Sequence, residues 1–178
     1  MRNRFFFLVP ILLTSLLPVF AGQAPSKDPH KDADVPPVRP NFSGGWRMVK
    51  DKSQLGGFKV PDVVIRVIEH HDPLINLHTV QTTNNQTSMS DVTYFTDNSI
   101  TMNTIKGRDA QCRAYWDGAA LIVRTKMLMS NGEREVIEDR WELSDDGKTL
   151  TTSSHIVTES GEANLVMVCE KEEEKKGS

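Results

Sequence analysis

The chain has 178 residues, 38% of them hydrophobic and 25% charged, with a formal net charge of −3. That is enough for one ordinary domain with a packed core and too little for two. It also excludes global disorder and a strong basic field for nucleic acid. Two cysteines are too few for a disulfide-stapled miniprotein or a four-cysteine zinc site, and collagen-like, coiled-coil and multi-pass membrane compositions are absent.

Arg2 and Arg4 open the chain, and Phe5 to Phe20 is apolar apart from Thr14 and Ser15. Val19-Phe20-Ala21 then supplies small residues at the −3 and −1 positions of a cleavage site. This three-part pattern predicts a secretory signal peptide over 1–21, cut after Ala21. The apolar run is short for a membrane anchor and carries Pro10 and Pro18. No integral membrane span is therefore expected after cleavage. The mature chain is expected to be exported, to the periplasm or the extracellular space. Losing Arg2 and Arg4 makes it more acidic than the full chain. Over 22–40, Pro25, Pro29, Pro36, Pro37 and Pro40 stand among Lys and Asp, which reads as an extended, disordered linker. Residues 172–178 read as a charged, solvated tail.

From Phe42 onward, stretches rich in Val, Ile, Thr and aromatics alternate with turn residues. Strands are expected near Gly45–Val49, Val63–His70, Leu74–Thr82, Thr87–Thr96, Ser99–Ile105, Ala110–Trp116, Ala120–Leu128, Arg134–Leu143, Thr149–Thr158 and Asn164–Lys171. His71-Asp72-Pro73, Asn84-Asn85, Asp97-Asn98, Asp117-Gly118, Asn131-Gly132 and Asp146-Gly147 separate them. Asn-Gly and Asp-Gly tolerate the positive φ of tight hairpins. No stretch holds a 3.6-residue apolar period, so helix is confined to a short piece between Asp51 and Pro61. Ten strands on short links pair with their sequence neighbours. The expected fold is all-β: an up-and-down antiparallel meander of about 8–10 strands, closed into a barrel so that both edges disappear. A sandwich needs longer crossovers. An outer-membrane barrel needs an apolar outer band, where this chain is expected to show Arg47, Arg66, Arg124, Lys126, Glu138 and Arg140.

Asn41-Phe42-Ser43-Gly44-Gly45-Trp46 resembles the Gly-x-Trp opening of lipocalins and fatty-acid-binding proteins, the calycin group, with Gly44 and Trp46 in matching places. Trp116-Asp117-Gly118-Ala119-Ala120-Leu121-Ile122-Val123 resembles the Trp-x-Gly-x-x-Leu hairpin of those barrels. Asp139-Arg140-Trp141-Glu142-Leu143-Ser144 and Asp145-Asp146-Gly147-Lys148-Thr149-Leu150 are similar to lipocalin-like secreted bacterial proteins of unknown function. The resemblance implies a lipocalin-like barrel over 41–171. It stops at the ligand site. Fatty-acid-binding proteins hold a carboxylate with an Arg-x-Tyr pair on the last strand, and here that strand reads Leu165-Val166-Met167-Val168-Cys169-Glu170. Fold does not fix function.

Strand alternation gives an expected inner face: Trp46 and Met48; Ile65 and Val67; Ile75 and Leu77; Val92 and Tyr94; Cys112, Ala114 and Trp116; Leu121, Val123, Thr125 and Met127; Ile137, Asp139, Trp141 and Leu143. A small barrel either fills its interior or holds one small ligand. A pocket walled by Trp, Met and Tyr suits a small hydrophobic molecule. The candidate ligand-binding residues are Trp46, Met48, Tyr94, Trp116, Met127, Asp139 and Trp141. Asp139 is the one inward acid. It could orient a polar ligand end, sit at the rim, or pair with Arg113 or Arg140. Cys112 and Cys169 fall on the sixth and tenth strands, which are not neighbours. That favours two buried thiols over a bridge, which needs Cα atoms within about 7 Å.

His70 and His71 face opposite sides of a strand, and His30, His78 and His155 are scattered, so no zinc spacing exists and exposed or rim histidines are expected. There is no Gly-x-Ser-x-Gly elbow, phosphate-binding loop or Cys-x-x-Cys. Asp145-Asp146 with Gly147 is ordinary turn chemistry. The expected function is an exported, non-catalytic, monomeric barrel that binds a small apolar molecule, with no metal and no cofactor. The alternative is an interaction or inhibitor barrel with a filled core, acting through the Asp51–Pro61 loop.

Overall fold

A computed structural model describes residues 38–173. The expected signal peptide, nearly all of the expected linker and the end of the charged tail lie outside the described residues. Ten strands follow one another: β1 (Gly44–Met48), β2 (Val63–His71), β3 (Leu74–Thr83), β4 (Gln86–Phe95), β5 (Thr101–Ile105), β6 (Arg108–Asp117), β7 (Ala120–Leu128), β8 (Arg134–Leu143), β9 (Thr149–Thr158) and β10 (Gly161–Lys171). Between β1 and β2 stands one 3-10 turn, Lys50–Lys52. Among the described residues no helix is long and apolar enough to cross a membrane.

The local causes are those of hairpins. Asn84 and Asn85 both take positive φ, 50° and 60°, and close β3 onto β4. Lys106 and Gly107, at 51° and 75°, do the same between β5 and β6. All ladders are antiparallel, and each strand but two pairs on both sides, in the order β4-β3-β2-β1-β10-β9-β8-β7-β6-β5. The meander therefore closes between its first and last strands, where Trp46 pairs with Lys171 and Met48 with Cys169.

Closure is incomplete, which corrects the expectation that both edges disappear. β4 and β5 lie side by side without a ladder. The side-chain amide of Asn103 fills part of the gap. Its Oδ1 accepts from the Thr93 amide at 2.9 Å and its Nδ2 donates to the Thr93 carbonyl at 3.0 Å. One side chain thus stands in for a strand's pair of backbone groups.

The register sets the inner face. Trp46, Met48, Ile75, Leu77, Val92, Tyr94, Cys112, Ala114, Leu121, Val123, Thr125, Met127 and Trp141 are buried, as alternation predicts. β2 is the exception. Val64, Ile68 and His70 are buried, whereas Val67 is 44% exposed. Arg66 pairs with Trp46 and Thr79, so it shares the inner face. The expectation of Ile65 and Val67 inward and Arg66 outward is thus reversed. β2 is apolar on both faces around Arg66, so a one-residue shift in parity leaves its hydrophobic pattern almost unchanged.

Cys112 and Cys169 are buried free thiols. β7, β8 and β9 stand between their strands.

Candidate functional site: a half-sealed barrel interior

One end of the barrel is sealed by aromatic rings. Phe42, just before β1, is fully buried. Its ring stacks on Trp116 at 6.0 Å and on His70 at 5.8 Å, and meets Trp141 edge-on at 5.8 Å. Tyr94 adds a second edge contact to Trp141, at 6.0 Å. Backbone bonds tie this plug down. The Phe42 amide donates to His70 Nδ1 at 3.2 Å, and Trp46 Nε1 donates to the Phe42 carbonyl at 2.9 Å. Gly44 enters β1 at φ +138°, a conformation that L side chains rarely adopt. This is the local reason for glycine in the Gly-x-Trp opening.

His70 is 4% exposed, which corrects the expectation of rim or exposed histidines. Burial lowers its pKa, against the opposing pull of Asp72. Its Nδ1 accepts from Phe42, so the neutral ring carries its proton on Nε2, 3.7 Å from Asp72 Oδ1. That approach is too long for a hydrogen bond; Asp72 accepts instead from the Thr96 hydroxyl and from Trp116 Nε1, the latter at 3.2 Å. The Thr96 bond holds its carboxyl below the usual range. Trp116 is only partly buried and borders the floor, with Arg39 over its ring at 5.5 Å. Among the expected site residues, it is the one placed at the sealed end's outer margin. Phe42 lies between Trp116 and Trp141, so those two rings meet through it.

Above this floor the interior changes character. The inward side chains Arg66, Thr79, Ser90, Ile137, Asp139, Ser154, Leu165 and Met167 are each only partly buried, though they point away from bulk solvent. Each keeps some accessible surface although the register turns it inward. Arg66 crosses from β2 and donates through Nη1 to Thr152 Oγ1 on β9 at 3.1 Å. Its guanidinium carbon lies 6.0 Å from the centre of the Trp141 ring. Two donors there, Arg66 Nε and Trp141 Nε1, are buried without a partner. Asp139 accepts a hydrogen bond from the Ser154 hydroxyl. Burial pushes its carboxyl up, while Arg66 pulls the other way. The Tyr94 hydroxyl is pushed up by burial and stays neutral.

The expectations for Asp139 are corrected in one respect. It is inward, but its cationic neighbour is Arg66. Arg140 instead pairs outside with Asp117 and Glu142. Met48, Met127, Tyr94, Trp46 and Trp141 all belong to the buried core. Met127 is on the mouth side, between Ala110 and Glu135 in the register. Sequence reasoning missed Arg66, Thr152, Ser154 and Phe42. Glu69 and His71 are exposed on β2 and fix the outward parity that would have turned Arg66 in.

No family model matches the chain, and no curated relative does. Solved structures do. A secretory abundant heat soluble protein of Ramazzottius varieornatus is similar at 13% identity and a TM-score of 0.55, over 76% of this chain and 99% of that one. Apo lipid binding protein 8 of Caenorhabditis elegans is similar at 12% identity and a TM-score of 0.51, over 74% of this chain and 95% of that one. At such identities the likeness concerns the fold alone: this chain forms a nearly closed ten-strand antiparallel barrel of lipocalin-like fold.

Proposed function

We propose that this protein is exported and non-catalytic, and that its barrel takes up one small, mainly apolar molecule in the unsealed half of the interior. The observation that carries this reading is the contrast along the barrel axis. Phe42, Trp46 and Trp141 at the aromatic end are fully buried, whereas the inward residues Arg66, Asp139 and Ser154 keep some accessible surface. A concave, largely apolar chamber with a few converging polar groups is the usual form of a small-molecule site. The lipid-binding name of the structurally similar nematode protein is consistent with that use. Export rests on the amino-terminal pattern of residues 1–21.

Native mass spectrometry of protein from the exported fraction of its own host tests both parts. The expected result is a polypeptide beginning at Gly22 with a small molecule that denaturation releases. A bare polypeptide, or one that retains Met1 and is found in the cytoplasm, would contradict the binding or the export part respectively.

A second reading, a protein-interaction barrel, draws on the link between β1 and β2. Phe58 and Val60 are each 51% exposed there. Pull-down from the exported fraction with wild type and a Phe58→Ser, Val60→Ser double variant separates the readings. A partner lost only in the variant would favour it.

A further inference from the structure

The inference here rests on the interior-ligand reading and names the ligand's polar end. We propose that the chamber selects an uncharged amphipathic molecule whose head offers both a hydrogen-bond acceptor and a donor, such as an amide or an alcohol, in preference to a carboxylate of equal chain length.

The inward-facing ions on the described strands are Arg66, Asp139, Arg108 and Glu135, together with Lys171, which lies over the Trp46 ring at the sealed end. Arg108 and Glu135 already form an ion pair at 3.6 Å near the unsealed end. Arg66 and Asp139 are held by neighbouring hydroxyls, one accepting and one donating. Arg66 bonds Thr152 and Asp139 bonds Ser154, two residues apart on the same face of β9. No direct ion pair joins them. Above the floor, cationic and anionic side chains are therefore equal in number. A carboxylate placed on Arg66 would lie beside the Asp139 carboxyl, and like charges in an enclosed site are costly.

Arg66 Nε and Trp141 Nε1 are buried donors without acceptors, both at the boundary between floor and chamber. A buried donor left unmade is costly. Asp139 offers the complementary acceptor on the opposite wall. A head with an oxygen for the Arg66 side and an N–H or O–H for Asp139 satisfies both walls without adding charge. A lone carboxylate satisfies one.

The test is competitive displacement of a neutral fluorescent lipid probe from the refolded 22–178 protein, using decanamide, decan-1-ol and decanoate at neutral pH. Decanamide and decan-1-ol are expected to displace the probe at roughly tenfold lower concentration than decanoate, about 1.4 kcal/mol of discrimination. Asp139→Asn removes the negative wall and should shift the preference towards decanoate, while Arg66→Gln should weaken all three. Circular dichroism of each variant checks that the barrel is intact. Tighter binding of decanoate by the wild type would overturn the proposal while leaving the interior-ligand reading in place. An unchanged preference in Asp139→Asn would also overturn it. Failure of the neutral probe and of every decyl compound to bind would overturn both readings.

Discussion

Arg66 on β2 donates to Thr152 on β9 at 3.1 Å, straight across the barrel interior. Eighty-six positions separate them in sequence. The contact exists because β1 and β10 close the meander and bring the two halves of the chain face to face. It lies beside the Trp141 ring, next to the sealed aromatic end. It also sets a charged group among apolar walls, where a folding core alone would have little use for one.

Replacing Arg66 with Met tests that last point. Met keeps the packing of the arginine stem and removes a charge that is expensive to enclose. Asp139 then loses its cationic neighbour and is pushed further towards its neutral form. Stability in chemical denaturation is expected to remain within about 1 kcal/mol of wild type, or to rise. A loss of roughly 3 kcal/mol or more would mark Arg66 as a structural ion.

Two buried groups should pull the pH dependence of stability in opposite directions. Burial lowers the pKa of His70. The unfolded chain therefore takes up that proton first, and stability falls as pH drops below about 6.5 towards the folded value. Burial raises the pKa of Asp139 above its ordinary 3.8. There the folded chain holds the proton first, so this contribution is present at low pH and lost as pH rises through the folded value. His70→Phe should flatten the acid side of a melting-temperature profile, and Asp139→Asn should steepen it. Profiles unchanged in both variants would show that these groups are solvated in the native state.

Phe42 precedes the first strand, yet it is fully buried against Trp116, Trp141 and His70. Phe42→Ala should cost about 3–5 kcal/mol through the cavity it leaves. The same truncation should red-shift the tryptophan emission, because the floor opens beside Trp141. A cost below about 1 kcal/mol would mean that the segment before Gly44 is detachable.

The Asn103 bridge to Thr93 predicts the behaviour of the open seam. Asn103→Leu removes a donor and an acceptor from two backbone groups of β4. Amide exchange should accelerate at Thr93 and its neighbours while β7, β8 and β9 keep their protection. Stability should fall by about 1–3 kcal/mol. Unchanged exchange at Thr93 would show that the seam is held by other contacts.

Much of the barrel was legible because its signals are local. Asn84-Asn85 and Asp117-Gly118 fix two hairpins, and alternation in β6 and in the second half of β7 turns Cys112, Ala114, Val123 and Met127 inward. The site was less legible because its residues break those signals. Arg66 carries a charge on the inner face of a strand whose first half is apolar on both faces, so only Glu69 and His71 further along set its parity. Phe42 lies outside any alternating run, and only the return of β2 through His70 gives it a place. The partner of Asp139 comes from a distant strand, and closure alone decides which arginine that is.

The central claim is that a ligand occupies the chamber beside Arg66 and Trp141. Three indole N–H signals report on it in a nitrogen–proton correlation spectrum. Trp46 Nε1 is engaged by the Phe42 carbonyl and Trp116 Nε1 by Asp72, whereas Trp141 Nε1 has no partner. Titration with decanamide should move the Trp141 indole and Arg66 Nε signals saturably and leave Trp46 and Trp116 in place. A saturable shift confined to Trp116, or no shift in any of the three, would contradict the account.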